Sequence, residues 1–105
     1  MRFVETPVFT KRVKELLLDE DYRALQIALL LRPEQGPVIK GGAGLRKVRW
    51  APRGVGKRGG VRVIYFWQPA DQAVYMLFAY AKTEQEDLTP DQLRVLARVV
   101  REELK

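Results

Sequence analysis

Eight lysine and arginine side chains fall between residues 36 and 70, and no aspartate or glutamate stands among them. The rest of the chain carries eleven bases and all thirteen acids, so the positive excess of this +6 protein lies within one third of its length. A segregated basic segment is the electrostatic signature of a polyanion partner. The alternative is a solvated sheet face whose bases serve solubility, which mixed charges would serve equally well. The eight are Lys40, Arg46, Lys47, Arg49, Arg53, Lys57, Arg58 and Arg62.

The first of these bases lie on a predicted strand, residues 45–51, which alternates between polar and apolar positions. Alternation places Lys47 and Arg49 on one face, about 7 Å apart. Successive phosphates of an RNA strand have a similar spacing, so Lys47 and Arg49 are predicted to bind neighbouring phosphates. Arg46, next to them in sequence, is included among the predicted RNA contacts.

Arg62 belongs to a second predicted strand, VRVIYFW, in which it lies in phase with Ile64 and Phe66. A charged side chain beside apolar residues needs a partner, because its desolvation is otherwise costly. A phosphate held by two guanidinium nitrogens is one such partner. The alternatives are an acid, such as Glu84 or Asp87, or a side chain that extends to water.

A glycine-rich loop, GVGKRGG, joins the two strands and differs from the phosphate loop of nucleotide hydrolases. Ala51 stands where that motif has its first glycine, and Arg58 stands where it has serine or threonine. We predict instead that Lys57 and Arg58 close over a nucleic-acid backbone, with Arg53 as a further contact. The alternative is a loop tip with no binding role.

Lys82 follows the last predicted strand and is expected at the same end of the sheet as Arg62. Glu84, close by, is a candidate to orient an arginine or to act as a base. Its alternative role is electrostatic, since acids are favourable ahead of a helix N-terminus. Aromatic residues at strand spacing are predicted mainly for the core, although they could stack on bases. They are Tyr65, Trp67, Tyr75 and Tyr80.

The chain contains no histidine and no cysteine. Imidazole catalysis, thiol nucleophiles, zinc fingers and disulfide scaffolds are therefore excluded, and we expect neither a metal nor another cofactor. The longest wholly apolar run, residues 27–31, is far shorter than the ~20 residues of a membrane span, and no signal peptide is evident. We expect a soluble, cytoplasmic protein that does not associate with membranes.

The pattern of the whole chain predicts one α+β domain, residues 1–105, with an antiparallel sheet in the order β-α-α-β-β-β-α. Thr6-Pro7 opens the first helix, and Asp19 is predicted to cap a second helix that ends near Arg32. Thr89 begins a capping box ahead of the last helix. Strands are predicted over residues 2–5, 45–51, 61–67 and 73–80. The inward side of the second helix is predicted to hold Tyr22, Leu25, Ala28, Leu29 and Leu31.

The order of these motifs resembles the RelE/ParE superfamily of bacterial toxin–antitoxin toxins. The chain is most similar to the HigB-type, ribosome-dependent mRNA interferases. The most specific part is GLRKVRW…GKRGGVRVIYF followed by YAKTEQEDLT, and the likeness covers nearly the whole chain. It implies a RelE-like, microbial-RNase-type fold with an N-terminal helical hairpin and a C-terminal helix. It also implies an endoribonuclease that inhibits translation by cleaving mRNA in the ribosomal A site.

The resemblance further implies roles for individual residues. Cleavage would proceed by attack of the 2′-hydroxyl on the scissile phosphate, with Arg62, Lys57 and Lys82 as catalytic residues. Lys47 and Arg49 would bind the RNA backbone. One departure is that several relatives have arginine in the turn where this chain has Thr83, and the downstream tyrosine of some relatives has no counterpart near Leu88.

The implied partners are mRNA, the ribosome and a cognate antitoxin with a helix-turn-helix domain. Two other functions stay open on the sequence alone. A ParE-like member of the same superfamily would inhibit DNA gyrase and perform no RNA chemistry. A non-catalytic RNA- or ribosome-binding module would use the same basic surface without cleavage.

Overall fold

The computed structural model describes residues 1–52 and 60–105, which form an α+β fold as predicted. Within these ranges, four strands and three helices follow one another along the chain. The strands are β1 (Arg2–Glu5), β2 (Arg46–Trp50), β3 (Val61–Gln68) and β4 (Ala73–Ala81). The helices are α1 (Pro7–Leu16), α2 (Asp19–Leu31) and α3 (Pro90–Val99), and a π-helical turn, Val100–Leu104, continues α3.

The four strands form one sheet in the order β1-β4-β3-β2. β2, β3 and β4 are antiparallel, as expected, whereas β1 pairs with β4 in parallel, so the sheet is mixed. A helical hairpin and two strands separate β1 from its partner along the chain. Because so long a connection permits either direction, the alternation of β1 did not determine its orientation.

β3 is buried on both faces, and each face contributes to a separate core. Val63 and Tyr65 pack on the side covered by α1 and α2, whereas Ile64 packs on the side covered by α3. The register of β3 with β4 shifts from the pair Ile64–Phe78 to the pair Tyr65–Met76. One extra residue of β4 is accommodated there as a bulge. The sheet is therefore sandwiched by helices at its centre, and only its edges and ends remain open.

The helix starts confirm two of the three predicted caps. Thr6 accepts a hydrogen bond from the Phe9 backbone N–H (3.0 Å), and Thr89 forms a capping box with Gln92. The predicted Asp19 cap was wrong: Leu18 precedes the helix without a side-chain cap, and Asp19 is the first helical residue. An acid there still interacts favourably with the positive end of the helix dipole.

Leu31, predicted to face inward, is 75% exposed. It lies two residues beyond Leu29, which is about 200° around the helix from that buried side chain. Leu25 and Leu29, four residues apart, are fully buried and form the inward stripe of α2. No helix among residues 1–52 and 60–105 is long and apolar enough to cross a membrane.

The hydroxyl of Tyr65 fastens the end of the helical hairpin to the sheet. It donates a hydrogen bond to the Pro33 carbonyl (2.7 Å) and accepts one from the Gly36 N–H (3.0 Å). A Cβ at Gly36 would lie 2.9 Å from both the Lys47 carbonyl oxygen and the Tyr65 ring, so only glycine fits there. The segment that follows α2 is thereby held against β2, the strand that carries Lys47 and Arg49.

Tyr65→Phe should lower the free energy of unfolding by about 1–3 kcal/mol, because the buried Gly36 N–H and the Pro33 carbonyl lose their shared partner. Chemical denaturation of the two proteins measures the difference. Tyr75→Phe is the matched control, since the Tyr75 hydroxyl makes no hydrogen bond within the described residues. Equal losses in the two variants would contradict the role assigned to the Tyr65 hydroxyl.

Candidate nucleic-acid interface

The end of the sheet nearest the start of β3 holds two arginines in direct register. Arg49 of β2 pairs with Arg62 of β3, and Arg62 pairs in turn with Tyr80 of β4. All three side chains therefore lie on the sheet face that α3 covers. Like charges directly opposite one another on neighbouring strands are destabilising. An anion between the two guanidinium groups would reverse that effect.

Arg62 is 5% exposed, although its strand is otherwise apolar. Its Nη2 lies 3.3 Å from Oε1 of Glu86, so its acid partner is neither Glu84 nor Asp87. Its Nε is buried and has no hydrogen-bond partner among the described residues. A buried guanidinium with one long carboxylate contact and an unsatisfied nitrogen retains capacity for a stronger anion.

Arg49, Arg62 and Lys82 line one open groove of about 290 Å³, together with Trp50, Ala51 and Gly60. Among the residues that the structure describes, no acid lines this groove. The expectation that Lys82 lies at the Arg62 end of the sheet is met. The arrangement can hold a phosphate among three cations.

Gly60 allows the backbone to approach the cations of this groove. A Cβ at this position would lie 3.1 Å from Nη1 of Arg62 and 3.7 Å from the Lys82 side chain. The Gly60 carbonyl also accepts a hydrogen bond from the Lys82 N–H (2.9 Å). This backbone contact fixes the start of the turn that carries Lys82 beside Arg62.

Lys47 lies on the same face of β2 as Arg49, as the alternation predicted, and pairs with an acid. Its Nζ is 2.5 Å from Oδ1 of Asp87. The hydrogen bond and charge of Lys47 lower the pKa of Asp87, and the charges of Arg49 and Arg62 add to this effect. Asp87 therefore stays ionised, and the ion pair persists, below the pH range in which a carboxyl usually takes up a proton.

The sequence of the chain matches a known family. A family model described as the RelE toxin of the RelE / RelB toxin-antitoxin system matches residues 1–104. The chain belongs to this family. It is therefore a toxin of a toxin–antitoxin system, and such a toxin has a cognate antitoxin as its partner.

In this RelE-family toxin, Glu84 has a structural role in the turn after β4. Its carboxylate accepts a hydrogen bond from the Ala81 N–H (2.8 Å) and pairs with the Arg12 guanidinium. Both contacts lower the pKa of Glu84, with the Ala81 hydrogen bond the larger cause. The carboxylate is thus a poor general base. Arg12 was not predicted at this site, because only the packing of α1 on β4 brings it to this turn.

Arg46 does not join the other bases of β2. Alternation places it on the opposite face from Lys47 and Arg49, where its guanidinium donates to the carbonyls of Glu34 (3.1 Å) and Gly36 (2.9 Å). These hydrogen bonds hold the segment after α2 in place. They account for the conformation of the Arg46 side chain, so no RNA contact is needed to explain it. Three other predicted contacts, Arg53, Lys57 and Arg58, lie outside the described residues.

The aromatic side chains considered for stacking belong mainly to the cores. Tyr65 and Tyr80 are fully buried, and Trp67 and Tyr75 are half-buried and pack against the two cores. None of the four lines the groove. Trp50 packs against one core and also lines the groove. Its position at the end of the edge strand β2 gives it both contacts.

The phenol of Tyr80 gives a test of how this end of the sheet is buried. Burial raises the pKa of Tyr80 to about 12, and nearby Asp87 adds to the shift, whereas Arg62 opposes it. Below pH 10 the phenol is protonated in both folded and unfolded chains. Between about pH 10 and pH 12 it ionises in the unfolded chain first, so rising pH favours unfolding.

Tyr80→Phe should therefore move the alkaline midpoint of unfolding to higher pH, because the variant has no phenol to ionise at this position. Circular dichroism as a function of pH measures that midpoint. The remaining tyrosines are common to both proteins, so the difference isolates Tyr80. An unchanged midpoint would show that the Tyr80 phenol is not held protonated by its surroundings.

Proposed function

We propose that this RelE-family toxin is an endoribonuclease of the HigB-like branch that cleaves mRNA in the ribosomal A site. The observation that carries the proposal is the groove in which Arg49, Arg62 and Lys82 converge, with no acid among its described lining residues. The sequence supports the same branch through its basic strand, its glycine-rich loop and its lysine-bearing turn in that order. We further propose that the cognate antitoxin contains a helix-turn-helix domain.

The energetics of the groove favour a phosphate as its ligand. Arg49 and Arg62 face each other in register, and such a pair of like charges is unfavourable until an anion lies between them. Arginine binds phosphate through parallel N–H donors, a geometry that lysine lacks. A structural purpose alone would be served better by an apolar or oppositely charged cross-strand pair. The groove therefore matches a phosphodiester more closely than it matches the needs of folding.

The proposed reaction uses the RNA itself as the nucleophile. The 2′-hydroxyl oxygen attacks the adjacent phosphorus, the bond from phosphorus to the 5′-oxygen breaks, and a 2′,3′-cyclic phosphate forms. A base takes the 2′-hydroxyl proton, and an acid donates a proton to the departing 5′-oxygen. Arg62 and Arg49 stabilise the extra negative charge on the pentacoordinate phosphate. Lys82 and Lys57 are assigned the two proton transfers, so the reaction requires no histidine.

The RNA backbone is proposed to continue from the groove along the outer strand. Lys47 and Arg49 lie on one face of β2, where they can contact successive phosphates. Arg53 and Arg58 are proposed as further contacts from the loop that joins β2 to β3. Arg46 is left out of this set because its guanidinium is engaged on the opposite face of the strand.

Arg62→Ala should reduce mRNA cleavage by about 10²–10³-fold, the usual effect of removing one donor that stabilises transition-state charge. The measurement is cleavage of a ribosome-bound message in a purified translation system, with growth arrest on induction as a second readout. Arg98→Ala is the matched control, since Arg98 is an exposed arginine that pairs with Glu102 on the C-terminal helix. Cleavage that survives Arg62→Ala unchanged would favour a non-catalytic binding module.

Lys82 allows charge and proton transfer to be separated. Lys82→Met should lose about 10²–10⁴-fold in the cleavage rate, the usual contribution of a general acid or base. Lys82→Arg retains the positive charge but cannot release a proton near neutral pH, so it should lose almost as much. Because Lys82 is exposed, both variants should fold normally. Full activity in Lys82→Arg would limit Lys82 to an electrostatic role.

The same induction experiment discriminates the gyrase-inhibitor function. Rapid loss of polysomal mRNA with intact DNA is the expected result. DNA damage with intact mRNA would assign the toxin to gyrase inhibition instead. Both quantities can be read from one culture, and the Arg62→Ala strain gives the background for each.

A further inference from the structure

A second and larger cavity, of about 450 Å³, opens beside the groove on the same face of the sheet. Three segments enclose it: the residues after α2, the outer strand β2, and the turn that leads into α3. The proposed catalytic groups Arg62 and Lys82 do not line it. The cavity therefore adjoins the phosphate groove without containing either of these two groups.

The walls of this cavity combine two kinds of chemistry. Val38, Ile39, Leu88 and Leu93 supply aliphatic surface. Lys40, Lys47 and Arg49 supply positive charge. Val38 is 55% exposed, so part of the aliphatic wall faces solvent. A planar heteroaromatic group on one side and an anion on the other is the kind of ligand that such a cavity accepts, and a nucleotide has both parts.

Arg49 connects the cavity to the groove, because it lines both. Lys47 stands two residues before it on the same face of β2, about 7 Å away. A phosphodiester held at Arg49 and Arg62 therefore has its neighbouring phosphate within reach of Lys47. The nucleoside between these two phosphates has the aliphatic wall beside it.

Asp87 is the single acid among the described residues that line the cavity, and its carboxylate occupies the position where that second phosphate would bind. Its Oδ1 lies 2.5 Å from Nζ of Lys47, a close contact between an anionic oxygen and an ammonium group. The Asp87 side chain is 71% exposed, so it can turn toward solvent without leaving a cavity in the core. Lys47, only 15% exposed, is held in place and would remain at the site.

We propose that this cavity is a nucleotide subsite, which binds the RNA residue next to the scissile phosphate. The base contacts Val38 and the aliphatic wall, and the phosphate replaces the Asp87 carboxylate on Lys47. The inference rests on the proposed function, because it takes RNA as the ligand of the groove. It adds that Asp87 competes with RNA and thereby sets the affinity of the toxin for its substrate.

Direct binding of a fluorescent single-stranded 2′-O-methyl RNA hexamer tests the phosphate part. This RNA lacks the free 2′-hydroxyl and cannot be cleaved, so affinity is measured apart from catalysis. Asp87→Asn should bind at least fivefold more tightly than the wild type. Asp91→Asn is the matched control, since it changes net charge equally but removes a carboxylate that pairs with Arg94 away from the cavity. Equal effects of the two variants, or weaker binding by Asp87→Asn, would overturn the proposal.

The base part has its own pair of variants. Val38→Ser should weaken binding of the hexamer several-fold, whereas Val95→Ser, at a valine equally exposed on α3, should not. The difference should vanish with a ribose-phosphate hexamer that lacks bases. A Val38→Ser effect that persists without bases, or no effect with them, would overturn the subsite.

The outcomes separate the subsite from the proposed function. If the wild type binds the hexamer and neither Asp87→Asn nor Val38→Ser changes that binding, the subsite is contradicted and the proposed nuclease activity is not. If Asp87→Asn and Val38→Ser change binding as expected but the wild type cleaves no mRNA in the translation system, the proposed nuclease activity is contradicted and the RNA-binding subsite is retained. Failure of the wild type and of Asp87→Asn to bind any RNA would contradict both.

Discussion

Arg62 carries a positive charge inside a strand that is buried on both faces, and much of the surrounding structure accommodates that charge. Its neighbours along β3 pack into two separate cores, so the strand cannot rotate to expose it. Glu86 supplies a partly exposed carboxylate at 3.3 Å, and the buried Nε of Arg62 has no hydrogen-bond partner within the described part of the chain. Burial of an incompletely paired charge lowers stability. The fold nevertheless retains this charge at the end of the sheet where cations face an open groove.

The turn after β4 brings the other charged groups to this position. The Gly60 carbonyl accepts a hydrogen bond from the Lys82 N–H. In the same turn, the Glu84 carboxylate accepts a hydrogen bond from the Ala81 N–H and forms an ion pair with Arg12. The Thr89 capping box then starts α3, whose packing closes the second core. A short segment thus presents Lys82 to the groove and supplies acids to both Arg62 and Lys47. Stability and proposed chemistry depend on the same few backbone hydrogen bonds.

The sequence predicted the features that follow from local periodicity. The two-residue period of β2 placed Lys47 and Arg49 on one face, and that of β3 placed Arg62 in phase with Ile64 and Phe66. Only the register of the two strands shows that Arg49 and Arg62 lie opposite each other. The same period placed Arg46 on the other face, although its charge had suggested a place with its neighbours. The acid partner of Arg62 was not predictable, since Glu84, Glu86 and Asp87 are close in sequence and only the turn geometry selects among them. The direction of β1 likewise depended on tertiary packing, whereas the exposure of Leu31 follows from its place about 200° around α2 from Leu29.

The parallel pairing of β1 with β4 has a consequence for the order in which the chain can fold. Arg2 pairs with Ala73, so the first strand to be synthesised finds its neighbour 71 residues later. Contacts so distant in sequence form slowly, because a long loop must close before they contribute. A nascent chain that has emerged only as far as β3 has neither the partner of β1 nor Lys82. The β1 pairing and the complete cationic groove therefore arise together, once β4 and the turn after it have emerged, and a chain without that segment lacks both.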